Sequence, residues 1–352
     1  MLTYLKARGV NVLEFVFLTH PDKDHFLGMS KVLEHFSTGG RLFKRFIEST
    51  LKVDVARLHK YATQVARAGI PIQELNSCAR ELKAIEELRD KAKPDPGAPA
   101  FPLGYAFREL NLTQDLSVQF VAPLEDVHTK LQTAITANVT FALAQLRSGA
   151  VLQKLPQQVN VNQVSLAFLL RFGAARVLVC GDVLDPQWTQ VLLGARAQSV
   201  SLKADLISVS HHGGAGNSRK LWRAISHGPP RTSTAIISCG YDNQYGHPTE
   251  TTLNRILASD NQLFCINKGA PCQFLDVANP TPFAAAIRSV VSPPDGFTRA
   301  MRGLGAVDDI CSGTIEAAVD AAGVTVITSR EQKSICKYAE GKGFQNSYPA
   351  GI

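Results

Sequence analysis

The chain has 352 residues, 45% hydrophobic and 19% charged, which is ample apolar content for a packed core and excludes a disordered or fibrous class. Lys and Arg number 37 against 30 Asp and Glu, a net charge of +7 that suits a polyanionic partner such as nucleic acid. No apolar run reaches the length of about 18 residues that a spanning helix needs, and no basic segment leads into an apolar leader, so no membrane span is expected and the expected location is cytoplasmic.

The first element is a short strand over Leu13, Phe15, Val16, Phe17 and Leu18. A helix follows, with Phe26, Leu27, Met29, Val32, Leu33 and Phe36 as its inner face. Between them lies Thr19-His20-Pro21-Asp22-Lys23-Asp24-His25-Phe26-Leu27-Gly28. His20, Asp22, Asp24 and His25 thus present two imidazoles and two carboxylates from one strand-to-helix turn, an arrangement suited to two adjacent metal ions. Such ions lower the pKa of bound water to roughly 7 and polarise the substrate oxygen, so hydrolysis is the chemistry to expect. The plain alternative is a surface turn in which Asp24 only caps the next helix.

A long insert over about residues 38–115 carries two helical patterns. One runs from Thr50 to Ala68 with Leu51, Val55, Leu58 and Val65 on a face; the other runs from Ser77, read as its cap, to Lys93 with Cys78, Leu82, Ile85 and Leu88 inward. Lys93-Pro94-Asp95-Pro96-Gly97-Ala98-Pro99 then reads as a linker. Arg41, Lys44, Arg45 and Lys52 of this region are candidate phosphate contacts, against the simpler reading of a solvated basic face.

After a helix over about 125–150, strands alternate with helices at Trp188–Leu193, Ser218–Ile225 and Thr251–Leu257, which argues for layered α/β architecture. Three of these strands exit into polar clusters: Arg176–Val179 into Cys180-Gly181-Asp182, Leu206–Val209 into Ser210-His211-His212-Gly213-Gly214, and Ala235–Ile237 through Tyr241-Asp242-Asn243 to Gly246-His247-Pro248. Open sheets collect their binding groups outside the strand ends, so these clusters can converge as scattered residues could not. The seven cysteines form no Cys-x-x-Cys pair and read as reduced thiols, with Cys180 and Cys239 as core packing. Beyond residue 280, Thr314–Val319 and Val324–Thr328 read as a β-hairpin, giving an expected division into residues 1–280 and an extension over 281–352.

Taken together these motifs resemble the metallo-beta-lactamase fold superfamily, and within it the ComEC-like hydrolase branch, over roughly residues 4–270. THPDKDHFLG is similar to the superfamily's His-x-His-x-Asp-His signature with Asp22 at its second His, as in that branch. Asn162-Gln163-Val164-Ser165-Leu166 with RFGAARVLVCGD, then SHHGGAGNS, then SCGYDNQYGHP, resemble its later signatures in order. The resemblance implies an αββα sandwich with His20 and Asp22 on one metal, Asp24 and His25 on the other, and Asp182 bridging them. It makes His211 a further ligand, assigns catalytic roles to Asp24, His212 and His247, and places Ser210, His212, Ser218 and Asn243 against the substrate. One or two Zn or Mn ions are the implied cofactors. The implied activity is that of a phosphodiesterase or nuclease using a metal-bound hydroxide, with nucleic acid or another phosphodiester as substrate. The rival readings are hydrolysis of a small acyl substrate, as by a lactonase, thioesterase or lactamase, and a noncatalytic nucleic-acid or protein-binding module of the same fold. Two departures stand out. The segment Val118–Pro123 offers no His for the superfamily's third motif, and only one strand precedes His20, so the chain is expected to be shortened at its amino terminus.

Overall fold

In a computed structural model, residues 1–39, 42–48, 72–91, 106–107, 109–148, 155–214, 216–239, 245–265, 315–320 and 323–328 are described. The architecture is mixed α/β, as the alternation of strand and helix patterns predicts. The chain divides into two compact units, Met1–Ala106 with Phe120–Ala167, and Phe107–Gln119 with Phe168–Ile352. The boundary expected at residue 280 lies outside the described residues, as do the helix expected at 50–68, the linker at 93–99 and Asn243.

The first unit begins with helix α1 (Leu2–Ala7) and strand β1 (Val12–Leu18). β1 pairs in parallel with β2 (Leu42–Glu48), from Val12 opposite Leu42 to Leu18 opposite Glu48. β2 corrects the expectation of a purely helical insert. Its apolar residues Leu42, Phe43, Phe46 and Ile47 have a helix-like spacing, and pairing with β1 overrides that local pattern. After the ligand turn, α2 (Lys23–Phe26) stops at Leu27, and α3 (Met29–His35) starts again after Gly28, whose φ of 88° only glycine adopts without strain. The expected single helix is therefore two, and Leu27 points outward at the break while Phe26, Met29, Val32, Leu33 and Phe36 are buried. The Glu81 carboxylate accepts from the Gly28 and Ser30 amides at 3.0 and 2.8 Å, supplying the cap that Gly28 lacks. Glu81 belongs to α4 (Ile72–Lys91), which packs Leu82 and Ile85 onto the same core, as predicted. Ser77 lies inside this helix and does not cap it. Helix α5 (Glu125–Ser148) buries Leu131 and Ile135 with Val164, while Asn138 clasps the backbone of Gln157 through both amide atoms.

The second unit is built on a seven-stranded sheet in sequential order, comprising β3 (Glu109–Asn111), β4 (Leu116–Ala122), β5 (Ala167–Phe172), β6 (Ala175–Val179), β7 (Leu206–Ser208), β8 (Thr234–Ile237) and β9 (Gln262–Cys265). β3 with β4 and β5 with β6 run antiparallel, whereas β6 through β9 are parallel. The parallel run requires crossovers, and these are α6 (Asp185–Ala197), α7 (Arg219–Ile225) and α8 (Glu250–Leu257). Ser218 and Thr249 cap α7 and α8. Because the strands are parallel, their carboxyl ends share one edge of the sheet, and the Asp182, His211 and Ser238 exits all leave from it. β10 (Ile315–Asp320) and β11 (Gly323–Thr328) form the antiparallel hairpin expected near the carboxyl terminus.

Candidate metal centre

In the first unit, β1 ends by delivering His20 into a fully buried position. Its Nδ1 lies 3.3 Å from the Thr19 hydroxyl and 3.3 Å from that of Ser165. The same Thr19 hydroxyl is 3.1 Å from Nδ1 of His25, and the two imidazoles stand 4.1 Å apart, centre to centre. Thr19 thus contacts both rings at Nδ1, which makes Nε2 the candidate ligating nitrogen of each. The Leu166 amide donates to the Thr19 carbonyl at 2.8 Å, holding Ser165 in reach across 145 residues of sequence. Asp24 is exposed, with its carboxylate 3.8 Å from His25 Nε2. Asp22, rather than Asp24, caps α2, accepting from the Lys23 amide at 2.8 Å. Thr19 and Ser165 are candidate positioning residues that ligand spacing does not find, since a hydroxyl beside a histidine leaves no periodic signal.

In the second unit, Asp182 leaves β6 after Gly181 and is only 5% exposed. His212 Nε2 lies 3.6 Å from its carboxylate. The other ring nitrogen, Nδ1, donates to the Ser238 carbonyl at 2.6 Å, so Nε2 presents its lone pair on the Asp182 side. Both histidines of the pair are left-handed, with φ of 50° at His211 and 52° at His212. That conformation costs roughly 1–3 kcal/mol for each non-glycine residue and persists only where neighbours enforce it. Here the His211 amide donates to the Gly181 carbonyl at 2.9 Å, the Gly214 amide closes onto the His211 carbonyl at 2.7 Å, and buried Asn217 donates to the carbonyls of Ser210 and Gly214. His247 meets His211 edge to face with ring centres 5.1 Å apart. Burial first, then the neighbouring His211 and His212, hold the His247 imidazole below its ordinary pKa, so it is neutral at pH 7.

The substrate contact expected at Ser210 is replaced by a supporting role, because this residue is 1% exposed and its hydroxyl donates to the Val183 carbonyl at 2.6 Å while accepting from Trp188 Nε1 at 3.1 Å. Ser218 spends its hydroxyl on the Leu221 amide at 3.2 Å. Cys180 and Cys239 are buried, and burial drives the Cys180 thiol far upward, consistent with packing rather than ligation. The structure therefore groups His20, Asp22, Asp24 and His25 in one unit, and Asp182, His211, His212 and His247 in the other. Imidazole Nε2 with carboxylate oxygen is the donor chemistry that Zn and Mn accept, and the hydroxyls on Nδ1 of His20 and His25 supply the outer contacts that orient ligating histidines. On these grounds the residues fit a divalent metal.

No family model matches the chain. It is 22% identical over 253 residues to ComE operon protein 3 of Bacillus subtilis (strain 168). The similarity covers 72% of this chain and 23% of that protein, so the chain spans about a quarter of the relative's length. Among the described residues no helix is long and apolar enough to cross a membrane.

Proposed function

We propose that the chain is a metal-dependent hydrolase of αββα metallo-beta-lactamase type, cleaving phosphodiesters as a nuclease or phosphodiesterase. The observation that carries this reading is the Thr19 hydroxyl that orients His20 and His25 together, 4.1 Å apart, on a turn that also bears Asp22 and Asp24. Hydroxyls held on Nδ1 are the kind of outer contact that orients ligating histidines. The similarity to ComE operon protein 3 supports the same branch, and the charge of +7 favours an anionic substrate over a small acyl one.

Zn or Mn ions would be held by His20, Asp22, Asp24 and His25 in the first unit and by Asp182 and His211 in the second, and would supply acidified water and a Lewis acid for the phosphoryl oxygen. The chain's own residues do the rest. His212 is held by Ser238 with Nε2 as an acceptor, and so can take a proton from the nucleophile or return one to the leaving oxygen. His247, neutral beside His211, can accept or relay a proton at the same strand edge. Thr19 and Ser165 hold the geometry without touching substrate.

The test is hydrolysis of single-stranded DNA, double-stranded DNA, RNA, a simple phosphodiester and acyl esters with added Zn or Mn, using Asp24→Ala as the control. Cleavage of a phosphodiester that disappears on chelation and in Asp24→Ala is the expected result. Products from acyl esters alone would replace the proposal with an acyl hydrolase. A protein that binds no metal, and in which His20→Ala changes nothing, would be a binding module.

A further inference from the structure

We propose that Tyr245 is a stacking platform for a nucleobase, and that the substrate class is therefore single-stranded nucleic acid; this rests on the phosphodiesterase reading above. Tyr245 is 72% exposed, so its ring packs into no core and presents an apolar body with a polar tip to solvent. The ring is nevertheless held in place. It lies stacked on His247, with centres 6.0 Å apart and planes inclined by 25°. His247 in turn meets His211 edge to face at 5.1 Å. Gly246, at φ +67°, supplies the reversal between Tyr245 and His247 that a side chain would resist. Three rings thus run in a column from solvent to the strand-exit loop that carries the candidate ligands of this unit.

Among the described residues His247 lies beside one face of the outermost ring, which is otherwise largely exposed. The chemistry that complements an open aromatic face is another flat π-system, and each nucleotide of a strand carries one. In a duplex both faces of each base are already stacked, and exposing one costs a few kcal/mol, so the platform favours a strand whose bases are unpaired. Cations lie close by in sequence. The loop that bears His211 leads through Ser218 directly into α7, whose Arg219, Lys220 and Arg223 are exposed and suited to a phosphate backbone.

The experiment measures binding of a fluorescent single-stranded oligonucleotide of about ten nucleotides, and of an abasic sugar-phosphate strand of equal length, to the wild type, Tyr245→Ala, Tyr245→Phe and Tyr245→Trp. Tyr245→Ala is expected to weaken oligonucleotide binding about tenfold while leaving abasic-strand binding unchanged. Tyr245→Phe and Tyr245→Trp should bind like the wild type, since they keep the ring. The proposal is overturned if Tyr245→Ala binds the oligonucleotide normally, if it loses both ligands equally, or if Tyr245→Phe is as weak as Tyr245→Ala, which would assign the effect to the hydroxyl. Cleavage is read in parallel. Base-dependent binding with no cleavage of any phosphodiester would sink the hydrolase reading and keep the platform, whereas cleavage without base dependence would do the reverse.

Discussion

Gly214 marks how closely the second unit's imidazoles are packed. A Cβ built there would lie 2.9 Å from His247 Cε1, 3.0 Å from His211 Nδ1 and 3.0 Å from His247 Nε2, so Gly214→Ala must push both rings out of place. Displacements near 1 Å in a catalytic constellation can cost about 100-fold in rate. The rings need to give by only a few tenths of an ångström, so we expect Gly214→Ala to lose about tenfold in hydrolysis while its circular dichroism stays that of the wild type; full activity would mean that neither ring takes part. Ser210 gives the complementary case, a residue whose value lies in folding. Removing its hydroxyl leaves the Val183 carbonyl and Trp188 Nε1 without that buried partner, at a cost of about 1–3 kcal/mol. Urea denaturation of Ser210→Ala should read that loss as a lower midpoint with unchanged slope. Both roles were only half legible in the sequence. SHHGGAGNS announces a tight loop, but the left-handed pair at His211 and His212 arises from contacts to Gly181, which is 30 residues distant from His211, and from Asn217. The link from Ser165 to His20 spans 145 residues and leaves no local pattern at all.

At the scale of elements, the helices whose periodicity was strong came through best. Leu82 and Ile85 lie on the buried face of α4, and α7 and α8 begin within a residue of the starts expected at Ser218 and Thr251. The elements that depended on distant partners did not. β2 exists because β1 offers it an edge, and the break between α2 and α3 follows from Gly28 and from Glu81 of α4. Helix α5 carries its own testable feature. His128 lies buried on it, and burial holds the imidazole below its ordinary value of 6.5, with Glu125 opposing more weakly. The unfolded chain takes up this proton near pH 6.5, whereas the folded chain resists it to lower pH, so this contribution to stability is complete above about 6.5 and is lost as pH falls through the folded value. His227 shifts in the same direction, through burial first and then Arg231. The melting temperature should therefore fall between about pH 7 and about pH 5, the range in which histidine changes charge, and His128→Leu should shallow that fall. An unchanged pH profile in His128→Leu would show that its burial carries no linkage.

For the whole molecule, the sequence made the α/β class and the parallel strand edge readable, because alternating strands and helices admit few connections. Charge was harder to place. A net +7 says that a polyanion is attracted, but not which cations meet it. Lys44, a candidate from the sequence, is paired with Glu14 at 2.7 Å on the exposed side of the β1–β2 pair, and Arg45 lies over the ring of Phe15 at 5.5 Å. A phosphate approaching Lys44 meets Glu14 as well, so the pair is nearly neutral to it. Arg219, Lys220 and Arg223 on α7 are exposed and directly follow the Ser210–Ser218 loop. Single-strand binding releases counterions with a slope of roughly 0.7 per phosphate neutralised. Replacing Arg219, Lys220 and Arg223 by Gln should therefore flatten the plot of log affinity against log salt by roughly 2. The Glu14→Gln, Lys44→Gln double variant, which conserves net charge, should leave that slope where it was. Equal slopes for the wild type and the α7 triple variant would place the polyanion on another surface of the chain.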